Sequence, residues 1–409
     1  MRIVYLHQFF LTRASASGTY PFEISRRLVE RGHEVSVVAS DQSGEGRGWR
    51  KTIEDGVHVH WYPARYSNHL GYGGRIRTFL RFAWQAGWKA ASLPCDVIHA
   101  GSPPLPTALP AIYASRRRSV PMVFEVADLW PETAIAVGAL QSGPAIAAAR
   151  RLERLAYRSS AHVIAMSPEM KNGVVAAGYP ADRVTVIPNG CNLEFFGVHE
   201  SRGESFRRKH AWLGDRPLVV YTGTLGLVNG ADYLARLAAA VRRRDPEVRF
   251  LLVGGGREEA KVRRVAAEAG VLEQTLFLRP PMPKSEMPDV LSAADMATST
   301  VIDRRELWAN SANKVFDALA AARPIVINHE GWIADFIRQS GCGLVLDPHD
   351  LEKAADALVA AIRDPLWNAR ARRAARQVAE ERFSLDKLAG TLESVFESVI
   401  PRRRLRAAA

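Results

Sequence analysis

Asn313, Lys314 and Asp317 open a short apolar-periodic segment, Asn310-Ser-Ala-Asn-Lys-Val-Phe-Asp-Ala-Leu-Ala-Ala-Ala-Arg-Pro324. A helix starting there presents unpaired N–H groups and a partial positive charge, to which Lys314 adds a full one. Such a start suits a phosphate, and Asp317 one turn later suits a sugar hydroxyl. Val315, Leu319 and Ala322 fall at i, i+4 and i+7, giving one apolar face with Ser311 or Asn310 as its cap. An ordinary helix-to-strand unit carries the same pattern, so the segment alone leaves phosphate binding and plain structure both open.

A second group of reactive types follows the apolar run Pro121-Met-Val-Phe-Glu125, where Glu125, Asp128 and Glu132 stand close in sequence. Carboxylates at the end of a strand can act as acid, base or electrostatic stabiliser. The structural alternative is Asp128 as the cap of a helix whose first turn holds Pro131 and Glu132. Glycines form the third group. Gly18 lies in the polar loop 12–19, where it permits close backbone approach or simply a turn with positive φ. Gly223, Gly226 and Gly230 space the loop Thr222–Gly230, which includes Thr224 and Asn229, and Gly254-Gly-Gly256 ends another apolar run. Gly223, Gly226 and Gly230 resemble a phosphate-cradling loop, a weak signal when glycines are scattered. Ser102, in Gly101-Ser-Pro-Pro104, ends a further strand. No Asp-x-Asp pair, His/Cys cluster or Lys-Ser/Thr after a glycine loop occurs, which argues against metal-chelated diphosphate and against a P-loop.

These residues sit on a βα alternation that runs twice. Apolar runs at 2–7, 35–39, 57–62, 96–100, 121–125, 162–166 and 184–188 read as strands of a first half, with helices between them. The alternation restarts at 217–221 and continues through 248–253, 276–278, 295–299, 325–327 and 343–346. The boundaries expected are a first domain at 1–190, a polar linker at 191–215, a second domain at 216–380, and a helix with a basic tail at 381–409. Ligands of doubly wound sheets bind at the carboxyl ends of strands, and the cleft between two such halves is the default site.

Composition narrows the partner. The chain has 409 residues, a formal charge of +12 and a pI near 9.9, which favours an anionic partner. Three distant cysteines fit neither a disulfide framework nor a metal site, and the sequence opens directly as a strand with no signal-peptide pattern. A cytoplasmic protein is expected. The stretch 71–89 reads as a basic amphipathic helix. Ile76, Phe79, Leu80, Ala83, Trp84 and Gly87 form its apolar stripe, flanked by Arg75, Arg77, Arg81, Trp88 and Lys89. It suits an anionic bilayer surface, or a domain helix with its stripe turned to the core. Nucleic acid is the weakest reading, because the basic residues are dispersed and no binding motif appears.

Several of these segments resemble the retaining, nucleotide-sugar-dependent glycosyltransferases of family four. They are Arg31-Gly-His-Glu-Val35, Ile187-Pro-Asn-Gly190, Val253-Gly-Gly-Gly256 and the Asn313–Pro324 segment. The resemblance implies the GT-B fold: two Rossmann-like parallel-sheet α/β domains facing across a cleft, with the C-terminal helix packing back on the first. Gly223–Gly230 and Asp128-Leu-Trp-Pro-Glu132 are similar to a bacterial subgroup that builds O-antigen, capsule or exopolysaccharide units, including a fucosamine-transferase-like branch. By the same resemblance Asp317 contacts the nucleotide ribose and Gly18 lies near the diphosphate. Asp128 stands where many relatives have a histidine at the reaction centre, with Ser102 and Glu132 on the acceptor side.

Two departures stand out. The family's first motif glutamate falls on Ala309, so either Glu306 or Asp303 substitutes for it or the sugar lacks the usual hydroxyl, and the family's Arg/Lys pair in the 222–230 loop is replaced by Thr224 and Asn229. The diphosphate charge then falls to Lys314, Arg279 or Lys284. The activity implied is metal-independent transfer, with retention, from a nucleoside-diphosphate sugar (UDP by family habit) to a lipid-linked saccharide on the inner membrane face. An epimerase of the same layout and a nucleotide-sugar-binding relative without turnover are the competing readings.

Overall fold

The computed structural model describes residues 1–13, 19–43, 46–64 and 72–401, residues 72–77 by backbone alone. The chain forms two compact units. The first is built from 1–12, 19–188 and the segment from Asp386 onward, the second from Asn189–Leu385.

The first unit holds eight strands: β1 (Arg2–Leu6), β2 (Glu34–Asp41), β3 (Arg50–Glu54), β4 (Val57–Pro63), β5 (Val97–Ser102), β6 (Met122–Val126), β7 (His162–Ala165) and β8 (Val184–Val186). Their order is β3-β4-β2-β1-β5-β6-β7-β8, parallel except for β3 against β4. Every residue of β5 and β6 is buried, as expected of central parallel strands covered on both faces. The strand absent from the sequence reading is β3, Arg-Lys-Thr-Ile-Glu, whose charge suits an exposed edge and hides its strand character.

The helix Leu385–Val399 returns to this unit. Arg27 donates to Asp386 at 2.8 Å, Arg31 reaches Glu393 at 2.6 Å, and His33 lies 2.7 Å from the same carboxylate. Phe396 meets the ring of His99 edge-on. The Arg31-Gly-His-Glu segment therefore anchors the C-terminal helix. Burial pushes the Glu393 carboxyl up, but hydrogen bonds from Arg31 and His33 outweigh this and hold it below its ordinary 4.5. Its contribution to stability is thus complete above that pH and lost as pH falls through the depressed value. Glu393→Gln is expected to lower stability by about 1–2 kcal/mol at pH 7. The difference from wild type should vanish in strongly acidic buffer, as read by denaturant melts across pH.

The helix Tyr72–Ser92 turns a different face inward from the one expected. Phe82, Ala86 and Ala90 are buried with Gly87, whereas Leu80, Trp84 and Trp88 are 58%, 68% and 55% exposed. Apolar residues occupy both sides, so periodicity alone could not select the buried one. No helix among the described residues is long and apolar enough to cross a membrane.

The second unit holds β9 (Leu218–Thr222), β10 (Arg249–Val253), β11 (Leu276–Arg279), β12 (Met296–Ser299), β13 (Ile325–Ile327) and β14 (Gly343–Val345). Their order is β11-β10-β9-β12-β13-β14, all parallel. The stretch 191–215, expected as a linker, is part of this unit. It forms the helices Leu193–Phe196 and Glu200–Arg208, and Phe196, Phe206 and Leu213 join the core. Its polar composition concealed this, because the nine-residue second helix buries only Gly203 and Phe206.

Candidate active site

The loops after β9 and β10 meet the start of the helix Asn313–Ala320 around a cavity of about 460 Å³. The two loops pack backbone to backbone: a Cβ at Gly254 would stand 1.8 Å from the Gly223 carbonyl oxygen, and one at Gly256 2.5 Å from that of Leu225. Glycine is required there by the close approach and also by the positive φ of 158° at Gly254 and 153° at Gly256. Lys314 projects into the cavity. Its Nζ donates to Tyr221 Oη at 3.0 Å and lies 3.4 Å from Asn229 Oδ1 and 4.3 Å from the centre of the Tyr221 ring. Tyr221 is itself fixed, donating to the Thr224 carbonyl at 2.7 Å, and Asn229 donates to the same carbonyl. Gly223 leaves room for the lysine, since a Cβ there would stand 3.2 Å from Lys314 Cε. The ammonium is thus held by neutral acceptors and has no ion-pair partner among the described residues.

The helix start beneath it is open. Its N-cap residue is Ala312, and no side chain caps it, contrary to the expectation for Ser311 or Asn310. Ser311 Oγ instead accepts from the Asn189 amide at 3.0 Å, while the Asn189 side chain donates to the Ser311 carbonyl. The Ile187-Pro-Asn-Gly turn therefore fixes this helix start without occupying its N–H groups. Ala322, expected on the apolar face, lies past the helix end at φ 53°. Val315, Phe316, Ala318, Leu319 and Ala320 form the buried face.

Farther into the cavity, Lys284 Nζ lies 2.5 Å from Asp317 Oδ2 and 4.9 Å from the centre of the Phe196 ring, with both partners largely buried. Lys284 is thereby committed to orienting Asp317 and is not free to neutralise diphosphate. Pro281, Met282 and Met287 give this side an apolar wall. Thr224, Asn229, Asn313, Lys314 and Asp317 all line the cavity as expected. Two proposed donor residues do not. Arg279 is paired through Nη1 and Nη2 with Glu273 at 2.9 and 3.2 Å and lies over Phe277, drawn off by that carboxylate. Glu306 is exposed on a single 3-10 turn, Asp303 pairs with His349 at 2.9 Å, and Ala309 is 7% exposed. None of the three lines the cavity. Tyr221 was missed, and its one signal in sequence is a tyrosine immediately before a glycine loop. Gly18 lies outside the described residues.

In the first unit the carboxylates separate by environment. Burial pushes the Asp128 carboxyl up to about 6, although part of the residue reaches solvent and no described residue bonds to its carboxylate. It caps no helix: the helix Glu132–Ala136 has Pro131 at its N-cap. Ser102 is not available to an acceptor, because it is buried and its Oγ donates to the Glu125 carbonyl at 3.1 Å. Glu132 is half exposed and paired with Arg150. Glu125 is fully buried, accepting from Tyr5 Oη at 3.2 Å with His99 Nε2 at 3.5 Å. Burial lowers the neighbouring His7 to about 4, leaving it neutral at physiological pH. Asp128 is therefore the carboxylate of this edge that remains open for chemistry.

Comparison with known proteins agrees with this division. Residues 15–190 match a glycosyl transferase 4-like domain and residues 216–364 the glycosyl transferases group 1 domain. The chain is 26% identical to a D-inositol 3-phosphate glycosyltransferase of Xylanimonas cellulosilytica, over 96% of this chain and 94% of that one. It is 24% identical to a putative colanic acid biosynthesis glycosyl transferase of Escherichia coli, over 90% and 93% of the two chains. Among solved structures, Anabaena HepE, crystallised with UDP and glucose, matches with a TM-score of 0.71 at 18% identity, over 97% of this chain and 100% of that one. With two Rossmann-like units, each matched by its own family domain, this chain belongs to the GT-B glycosyltransferases of family four.

Proposed function

We propose that the second unit binds a nucleoside-diphosphate sugar, UDP-linked, and that the enzyme transfers the sugar with retention, without metal, to a lipid-linked saccharide in surface polysaccharide synthesis. The observation that carries the donor reading is the Lys314 ammonium, paired with no carboxylate among the described residues and braced by Tyr221 above an uncapped helix start. As the bond between anomeric carbon and diphosphate breaks, charge develops on the departing phosphate, where a fixed cation and helix N–H groups stabilise it. The acceptor hydroxyl attacks the anomeric carbon from the face the phosphate leaves, and its proton passes to that phosphate. Asp317, oriented by Lys284, takes the ribose hydroxyls, and the Pro281–Met287 wall suits the apolar parts of the donor. Asp128 orients the acceptor or stabilises positive charge on the sugar. The solved relative carrying UDP supports the choice of base.

A panel of nucleotide sugars tests this reading. Slow release of UDP from one donor, accelerated by membrane extract, is expected. Interconversion of two sugar nucleotides without release would instead mean an epimerase, and binding without turnover a degenerate relative.

The outward Leu80–Trp84–Trp88 row supports peripheral binding to an anionic bilayer. Trp88 packs against Tyr113 with the rings tilted and 5.5 Å apart, and Leu109, Ile112 and Leu155 continue the apolar surface to Arg116 and Arg117. Aromatic and aliphatic side chains with a basic rim fit the headgroup region. The side chains of Arg75 and Arg77 lie outside those described. The double substitution Trp84→Ala, Trp88→Ala should weaken binding to anionic vesicles about tenfold or more, and equal retention on those vesicles would remove the membrane role.

A further inference from the structure

The second unit has another cavity, of about 250 Å³, among the residues that precede β9, β12 and β13. These are the amino ends of the strands, whereas the donor cavity lies at their carboxyl ends. Arg323 forms part of its wall and is 4% exposed, yet its Nε and Nη1 are buried without a hydrogen-bond partner. No described carboxylate lies within ion-pair distance of it. Two further residues of the same wall carry an unused donor: Arg372 through its buried Nε, and Ser292, 9% exposed, through its hydroxyl.

A guanidinium stays protonated at any physiological pH, so Arg323 cannot escape its burial by losing charge. Leaving a buried charge unpaired costs several kcal/mol, and water can satisfy its hydrogen bonds without compensating the charge. The acidic residues of the cavity do not supply the compensation. Asp295 is taken by Arg207 at 2.9 Å and by the Leu218 amide at 2.8 Å. Glu200, Glu204 and Asp215 are exposed rim residues, the first paired with Arg372 Nη1 at 3.3 Å. The buried end of the wall therefore carries an uncompensated cation and two unused donors, while the acidic rim disfavours an extended polyanion more strongly than a small anion.

We propose that this cavity is a binding site for a tetrahedral oxyanion, inorganic phosphate or the phosphate group of a small ester, held by Arg323, Arg372 and Ser292. Three residues of one wall with unused donors suit an anion with several acceptor oxygens, as phosphate has. The site is separate from the donor cavity, and its existence does not depend on the donor assignment.

The test is thermal unfolding of the whole protein in inorganic phosphate against chloride of equal ionic strength. It is run on wild type and on Lys314→Ala, which removes phosphate binding at the donor cavity. Phosphate should raise the midpoint in both, with an apparent affinity at least fivefold weaker in Arg372→Gln and in Ser292→Ala, and no rise in Arg323→Gln. Because Arg323→Gln alters a buried position, the two milder variants are decisive. Glycerol phosphate stabilising as inorganic phosphate does would identify an ester site, and stabilisation by inorganic phosphate alone a closed pocket for the free ion. No rise beyond chloride, a rise confined to proteins retaining Lys314, or equal affinity in Arg372→Gln and Ser292→Ala overturns the proposal.

Discussion

Lys314→Ala is expected to lower turnover of the nucleotide sugar by about 10²–10³-fold, the range seen when one preorganised group aimed at developing charge is removed. The change should appear in kcat and kcat/KM together, because the ammonium's strongest interaction comes as the diphosphate leaves. The helix should survive the substitution, since Lys314 is only partly buried and the buried face is made of other residues. Tyr221→Phe makes the finer test. It keeps the ring under the ammonium and removes the hydroxyl that holds Lys314 at 3.0 Å and anchors the loop at Thr224. A loss of about tenfold, between wild type and Lys314→Ala, would mark Tyr221 as a positioning residue, in line with about 1–1.5 kcal/mol for one hydrogen bond. Product release followed by quenched assay gives both values.

Asp128→Asn should make the protein both more stable and less active. Burial raises the folded carboxyl to about 6, so the native state holds this proton more tightly than the unfolded chain does. Ionised Asp128 therefore costs stability above that pH, and the cost fades as pH falls toward its ordinary 3.8. The substitution should gain about 1–3 kcal/mol at pH 8 and nothing near pH 4. Activity should move the opposite way, because the working form is the carboxylate. Wild-type turnover is expected to fall about tenfold per pH unit below 6, and the Asn variant should lose about 10–100-fold at pH 8 and show no such limb. Stability gained with activity lost is the signature of a group kept at a cost for its chemistry. Unchanged turnover in both Asp128→Asn and Asp128→Ala would leave the carboxylate with no role in transfer.

The parts legible in the sequence were those set by local patterns. Central strands such as Ile3–Leu6 and Met122–Val126 are buried on both faces and read as apolar runs, the second interrupted only by Glu125. The Asn313-Lys-Val-Phe-Asp segment announced its helix and the two charged side chains, Lys314 and Asp317, that line the cavity. Most of what failed needed partners distant in sequence: Lys284 is taken by Asp317, 33 residues later. Arg279 is the exception, taken by Glu273 only six residues before it. Ser311 looked like a cap, but Asn189, 122 residues earlier, takes its hydroxyl. Tyr221 touches Lys314 across 93 residues and could not be located without the register of β9 against its neighbours. The helix Tyr72–Ser92 misled differently, since an outer face of leucine and tryptophan imitates a core stripe. That imitation is itself the observation behind the membrane reading.

The central claim is that Lys314 and the open helix start hold the donor's diphosphate. Its most direct test is calorimetric affinity for UDP and for uridine, measured on wild type and on Lys314→Ala. Wild type should prefer UDP by about 10²-fold or more, and Lys314→Ala should lose most of that preference while its affinity for uridine stays within about twofold. An undiminished preference in the variant, or equal affinity of wild type for the two ligands, would contradict it.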